Sequence, residues 1–292
     1  MNLDYLKKYS KIMVIGHKTP DTDTAISSCI LCNILNYFGI KANYAVLDGE
    51  KLNQSCQKMV NDVISFKPLI LKDKDIAKYH YFLVDHNDPL QSIKDKTLIV
   101  GVIDHHPNSW SYKKAIFTKY CSTTLAIYDL FKDIYPFSDE EKQAIYMGLV
   151  DDSSFGRNSR YKDIDRDLVS KMGLNPDVSI YFDKYFIPTN NNNIAFENNG
   201  HKSYDFNGIK FDSTYIERLD TNGLNDYKEF ISKHNHNFLG LWIDYKDLKT
   251  YTFLKYKNKF IEKNYDYVAA RSTTVLNDML EYIRSLNEKE NK

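Results

Sequence analysis

The apolar positions of the first half come in short bursts, each followed by a stretch of helical periodicity. "KIMVIGH" (11–17) reads as a strand, and Thr22 or Thr24 is placed to cap the helix that runs through "AISSCILCNILNYFG" and stops at Gly39. "KANYAVLDG" (41–49) reads as a second strand followed by a helix near 52–65. "YHYFLVDHND" (79–88) and "TLIVGVIDHHP" (97–107) read as a third and a fourth strand. "STTLAIYDLFKDI" (122–134) and "SDEEKQAIYMGLV" (138–150) have helical spacing, the latter opened by Ser138 and Glu141 as a capping box. Strands alternating with helices predict an α/β fold, a mostly parallel sheet covered on both faces.

The pattern breaks over 188–200, where "PTNNNNIAFENNGH" starts with Pro188, is rich in Asn and has no periodicity. That stretch is expected to be a linker or hinge. Beyond it, "IKFDSTYI" (209–216), "FLGLWIDY" (238–245) and "TYTFLKY" (250–256) alternate as strands, and "STTVLNDMLEYIRSL" (272–286) closes as a helix. The expected organisation is a parallel-sheet domain over 1–188, a hinge over 189–200 and a smaller mixed α/β domain over 201–292. A chain of 292 residues has room for two domains.

Three strands end in polar residues of metal-ligand type, "VIGH", "LVDHN" and "VIDHH". In open parallel sheets functional groups gather at the carboxyl ends of the strands, so these tips should converge on one edge. His17, Asp21, Asp23, Asp85, His105 and one aspartate of "GLVDDS" (148–153) are the candidate ligands. A lone D-x-D in a loop is usually turn or cap chemistry. Here every piece sits at a strand tip or helix start, and that combination points to metal. Histidine with carboxylate suits Mn, Mg, Co or Zn. Six such side chains exceed what one catalytic ion takes from protein; they suit two ions about 3.5–4 Å apart that share a carboxylate.

Composition narrows the partners. Apolar and charged fractions of 42% and 27% are ordinary for a globular protein, and 39 basic residues balance 39 acidic ones. Without a basic excess, long nucleic acid is not an expected partner, whereas a small polyphosphate or a dinucleotide stays open. No apolar run is long enough to span a bilayer, and "MNLDYLKKYSK" lacks a signal-peptide apolar region. Cys29 and Cys32 form a C-x-x-C, but within "AISSCILCNIL" they read as a buried helix face, and Cys56 and Cys121 form no second pair. The expectation is a reduced, cytoplasmic protein without membrane partners.

"GHKTPDTDTAISS", "VDHND", "VIDHHP", "CSTTLA" and "GLVDDS" resemble, in order, the motifs of the DHH phosphoesterase superfamily, most closely the family II (manganese-dependent) inorganic pyrophosphatases. The resemblance covers about the first 190 residues. It implies hydrolysis of pyrophosphate with two divalent ions, Mn2+ first and Co2+ or Mg2+ as alternatives. It further implies that one ion uses His17 and Asp21 and the other Asp23, His105 and Asp152, with Asp85 bridging; Asp151 stands as the other choice for Asp152. His106 would lie beside the substrate phosphate as a catalytic group, and Asp104 would orient a histidine.

The family's second domain closes over substrate and presents basic side chains. Lys210 and Arg271 are the counterparts here, but where relatives carry lysines after the arginine this chain has Ser272 and Thr273. A pocket with fewer cations suits a longer or less charged phosphoester, which keeps an exopolyphosphatase or a small (di)nucleotide phosphodiesterase as alternatives. "NNGHK" (198–202) lacks the glycines of the dinucleotide phosphodiesterase branch. A non-catalytic binder of a phosphorylated ligand is the reading from another class; intact ligands speak against it. A homodimer is common among relatives, and no apolar stripe of this chain demands one.

Overall fold

The computed structural model describes residues 3–108, 110–206 and 208–290. β1 (Ile12–Ile15) is buried at all four positions because cores lie on both of its sides. Ile12 and Val14 face one core, Met13 and Ile15 the other, as the two-residue period of a strand requires. β2 (Ala42–Leu47), β3 (Leu69–Leu71), β4 (His80–Val84), β5 (Ile99–Asp104) and β6 (Ala115–Phe117) complete a six-stranded sheet of order β3-β2-β1-β4-β5-β6. Every pairing in it is parallel. The two outermost strands are three residues each, too short to carry a periodic signal.

Helices α1 (Thr22–Tyr37), α2 (Gln54–Val63), α3 (Thr123–Phe131), α4 (Asp139–Asp152), α5 (Asp163–Lys171) and the single turn α6 (Phe182–Tyr185) belong to the same unit. α1, α3 and α4 cover the face of Ile12, Val14, Phe82 and Val84. The opposite face is closed by Ile76, Ile93 and Leu98 from turns and loops. α1 is capped by Asp21, whose Oδ1 accepts from Thr24 N at 2.9 Å, and not by Thr22 or Thr24. A carboxylate caps well and meets the positive helix end, so the helix starts one residue earlier than a threonine cap would allow. Gly39 follows the end of α1 with φ 76°, and Ser138 with Glu141 forms the capping box of α4. Cys32 is buried on α1, with its thiol pushed up to about 12 by burial and then by Cys29, and all four cysteines are free.

The chain divides into two units, Met1–Gly156 with Arg160–Phe186, and Arg157–Ser159 with Ile187–Lys292. In the second unit β7 (Lys202–Phe206), β8 (Ile209–Arg218), β9 (Phe238–Asp244), β10 (Lys249–Tyr256) and β11 (Lys259–Tyr265) form a mixed sheet of order β11-β10-β9-β8-β7. Only β8 and β9 pair parallel, and helix α8 (Leu224–Ser232) makes the crossover between them. α8 packs Tyr227 and Ile231 on Ile216, Trp242 and Phe253, while α9 (Leu276–Glu290) packs Leu276, Met279 and Leu280 on Phe211, Leu239 and Leu254.

The Asn-rich stretch over 188–200 falls within this second unit. Thr189 N donates to the Glu217 carbonyl at 2.8 Å, Asn192 caps α7 (Asn193–Asn198), and Asn199 Nδ2 donates to the Tyr215 carbonyl at 2.7 Å. Asparagine side chains imitate backbone donors and acceptors, and Phe196 adds an apolar anchor, buried against Ile216, Tyr227 and Trp242. Among the described residues no helix is long and apolar enough to cross a membrane.

Candidate metal centre

β1 and β4 are neighbours at the point where the strand order reverses, the crevice position of open parallel sheets. The chain leaves β1 into His17, β4 into Asp85 and β5 into His105 and His106. The first turn of α1 adds Asp21 and Asp23, and the last residues of α4 add Asp151 and Asp152. Two glycines permit this crowding. A Cβ on Gly16 would lie 2.2 Å from Thr24 Cγ2, and one on Gly148 would lie 2.9 Å from Asp23 Oδ1. The loop after His17 is pinned by Glu50 Oε2, which accepts from Thr19 N at 2.6 Å, and by the Gln91 carbonyl, which accepts from Lys18 N at 2.7 Å.

Asp85 is central. Its backbone is in the left-handed region with φ 61°, a strained position for a residue with a side chain, tolerated by Asp and typical of functional sites. Oδ2 lies 3.3 Å from His17 Nε2 and Oδ1 lies 3.1 Å from His105 Nε2. Thr24 Oγ1 donates to Oδ2 at 2.6 Å and Thr123 Oγ1 to Oδ1 at 3.3 Å, which fixes the carboxylate plane. On one side His17 Nε2 is also 3.2 Å from Asp21 Oδ2; on the other His105 Nε2 is 3.2 Å from Asp152 Oδ2. His17, Asp21 and Asp85 thus form one ligand group, and Asp23, Asp85, His105 and Asp152 a second, with donor atoms in each within 4.8 Å of one another.

The charges explain what this arrangement lacks on its own. Burial, then Asp85 and Asp21, pushes Asp23 well above the usual carboxylate range. Asp152 is driven up the same way, by burial and by Asp23, Asp85 and Asp21. Burial would also raise Asp85, but hydrogen bonds from His105 and His17 outweigh it and hold it well down. Burial followed by the charges of Arg160 and His106 lowers His105 to about 4, so its ring is neutral at pH 7. A neutral imidazole at His105 facing crowded carboxylates is the chemistry of a cation site. The 3.1–3.3 Å separations of these donor atoms match neighbouring ligands on an octahedral ion with bonds of about 2.1 Å. The donor set therefore fits divalent metal.

Asp151 plays a different part from Asp152. Its Oδ2 accepts from Thr22 N at 3.0 Å and from the Cys56 thiol at 3.3 Å, facing the start of α1. Burial and then Asp21 raise it to about 6. Asp104 accepts from His106 N at 3.0 Å and His106 Nδ1 at 2.9 Å on one oxygen, and from Asn87 Nδ2 at 2.6 Å on the other. His106 is 20% exposed and packs edge-on to the His105 ring.

The structure does not bring Lys210 and Arg271 together. Alternate residues of β8 face opposite helices, Phe211 and Tyr215 towards α9, Ile216 towards α8. Arg271 belongs to the α9 side: Nη1 donates to the Gly200 carbonyl at 2.5 Å, and the guanidinium lies 5.0 Å above the Tyr215 ring. Lys210 is on the other face, its side chain 79% exposed and 3.9 Å from Asp205. Arg271 and Ser272 lie in a π-helical turn before α9, and the side chain of Thr273 falls outside the described residues.

Thr24, Thr123, Asn87 and Arg160 are site residues that sequence reasoning passed over. Threonines at helix starts look like caps, and Asn87 within "VDHND" looks like a turn residue. Arg160 Nη2 touches His105 Nδ1, lies 3.1 Å from Nε2 and donates to the Cys121 carbonyl at 3.0 Å. Nothing in "GRNSRYKD" announces that contact, which arises only because the loop after α4 passes the tip of β5.

Residues 11–152 match the DHH family, N-terminal domain. The manganese-dependent inorganic pyrophosphatase of Methanothrix thermoacetophila is 34% identical over 97 residues, covering 32% of this chain and 30% of that protein. The manganese-dependent inorganic pyrophosphatase of Bacillus subtilis is 33% identical over 98 residues, 33% of this chain and 31% of that one. The chain thus aligns with less than a third of the length of these curated relatives. A putative family II inorganic pyrophosphatase of Methanococcus jannaschii superposes with a TM-score of 0.71 at 17% identity, over 90% of this chain and 96% of that one. An exopolyphosphatase-related protein of Bacteroides fragilis gives 0.52 at 15% identity, over 87% and 82%. These two share the fold.

Proposed function

Because residues 11–152 of this chain are a DHH family N-terminal domain, we propose that it is a metal-dependent phosphohydrolase whose leading substrate is inorganic pyrophosphate. The observation that carries this reading is Asp85, one carboxylate whose two oxygens face histidines from two different strand tips. His17 and Asp21 would hold one divalent ion, Asp23, His105 and Asp152 the other, and Asp85 both. Mn2+ suits the mixed nitrogen and oxygen donors, with Co2+ or Mg2+ as alternatives. Bound ions supply charge neutralisation of the phosphates and make water a nucleophile at neutral pH.

The remaining steps fall to the chain's own side chains. Asp104 holds His106 through Nδ1, so the other ring nitrogen is the one offered to a phosphate oxygen. There His106 stabilises developing charge or passes a proton to the departing phosphate, as a positioned histidine does in general acid catalysis. Asn87 orients Asp104 by donating to its second oxygen.

A longer phosphate chain or a small phosphodiester is the second reading. It is favoured by the separation of Lys210 and Arg271 onto opposite faces of their sheet, so that these two do not pair as a cation clamp. The test is phosphate release by the full chain with Mn2+, offered pyrophosphate, tripolyphosphate and a linear dinucleotide in parallel. Turnover of pyrophosphate above the others supports the leading reading, preference for another selects the second, and none with any substrate rejects both in favour of a binding protein.

A further inference from the structure

The site is assembled from aspartates and histidines, and one guanidinium is fixed beside them. Arg160 is that group. It is carried by the same unit as the aspartates, on the loop between α4 and α5. Nη2 donates to the Cys121 carbonyl and rests on the His105 ring. Cys121 is gripped from the other side as well, its N–H donating to Asp165 Oδ1 at 2.8 Å, and Asp165 also accepts from Lys162 N at 2.9 Å. The segment 160–165 is therefore fastened to the start of α3, the same helix start whose Thr123 and Thr124 N–H groups donate to Asp23 at 2.7 and 2.8 Å. The guanidinium is anchored where the second ligand group lies, yet the residue remains half-buried and reachable from solvent.

A cation in this position opposes a metal ion at His105 while its charge favours the ionised forms of Asp152 and Asp165, so it adds a positive, half-buried group to the edge of the second ligand group. The planar fork of a guanidinium matches the oxygens of a phosphoryl group. Lys210 and Arg271 do not form a joint cation site on their own sheet. We propose that Arg160 is a substrate-binding residue that takes up a phosphoryl group beside His105. This inference rests on the phosphohydrolase reading and assigns that site an anion-binding residue of its own.

The experiment titrates inorganic phosphate into the Mn2+-loaded full chain by calorimetry, for the wild type, Arg160→Gln and Arg160→Lys, with the Mn2+ affinity of each measured separately. The expected result is phosphate binding weakened about tenfold or more in Arg160→Gln, partly recovered in Arg160→Lys, with Mn2+ affinity equal to or tighter than wild type. Equal phosphate affinity in wild type and Arg160→Gln overturns the proposal. So does a wild type that binds no phosphate, or a parallel loss of Mn2+ affinity, which would mark Arg160 as a brace for the aspartates. Should Arg160→Gln not fold, Arg160→Lys decides: it must bind phosphate at least about threefold more weakly than wild type at unchanged Mn2+ affinity. A wild type that binds phosphate through Arg160 yet releases none from any substrate refutes the hydrolase reading and leaves this inference standing.

Discussion

Asn87 donates its side-chain amide to Asp104 Oδ2 at 2.6 Å, joining the tip of β4 to the tip of β5. The same amide also donates to the Pro107 carbonyl at 3.0 Å, and the Asn87 carbonyl accepts from Tyr112 O–H at 2.8 Å. One buried asparagine thus holds the carboxylate that holds His106. Asn87→Ala leaves a buried carboxylate oxygen without this donor and is expected to cost about 1–3 kcal/mol. Asn87→Asp should cost more, since it sets a second carboxylate against the first. Urea denaturation checks the stability, and the kcat of each folded variant checks whether His106 has lost its orientation.

Asp85→Asn separates charge from backbone geometry. Asn tolerates φ near 61° as Asp does, so the fold is expected to persist. The shared anion is gone, however, and both ligand groups lose a member. Phosphate release should fall by at least about a hundredfold, since even partners one step removed from a metal cost 10–100-fold. A direct count of bound Mn2+ per chain should fall with it. For the wild type, Mn2+ at a hundred times its Kd should stabilise the fold by about 2.7 kcal/mol per site, visible as a rise in Tm that a chelator abolishes.

Asp151 makes the metal-free protein sensitive to pH in a definite direction. Its carboxyl sits near 6 in the fold, raised by burial and by Asp21, against an ordinary value near 4. The folded state therefore binds the proton more tightly, and this group's contribution to stability is present at low pH and lost as pH rises from about 4 to about 6. His86 and His105, both lowered to about 4 chiefly by burial, act oppositely over the same interval. A comparison with Asp151→Asn isolates the carboxyl. The variant should gain stability relative to wild type as pH rises through that window, by up to about 3 kcal/mol. Melting curves without metal at pH 4 and pH 7 check it; a constant difference would contradict it.

Gly148→Ala opposes helix propensity to packing. Alanine in place of a glycine inside α4 should help by about 1 kcal/mol. The added Cβ would meet Thr124 Oγ1 at 2.5 Å, Thr124 Cγ2 at 2.8 Å and Asp23 Oδ1 at 2.9 Å. Packing should win, with a net loss of about 1–3 kcal/mol in chemical denaturation. Because the push falls on Asp23, Mn2+ affinity should drop as well. A variant more stable than wild type would show that α4 can shift away without cost.

Periodicity in the chain determined the local structure and the layer plan. Apolar runs such as Ile12–Ile15 could only be strands buried on both faces, and the alternation with helices made a parallel sheet the consistent solution. The polar residues closing those runs were legible as strand tips for the same reason, and the fold brings His17 to 3.3 Å and His105 to 3.1 Å from the two oxygens of Asp85. Tertiary packing decided what no local pattern encodes. The three-residue edge strands exist because a neighbour offers hydrogen bonds, and the Asn-rich stretch is ordered by contacts to Glu217 and Tyr215 far along the chain. Adjacent Asp151 and Asp152 are indistinguishable by composition; helical rotation turns one towards Thr22 and the other towards His105. Strand parity likewise parts Lys210 from Arg271, and the path of one loop sets Arg160 on a histidine 55 residues away, because such meetings depend on distance in space and not on distance along the chain.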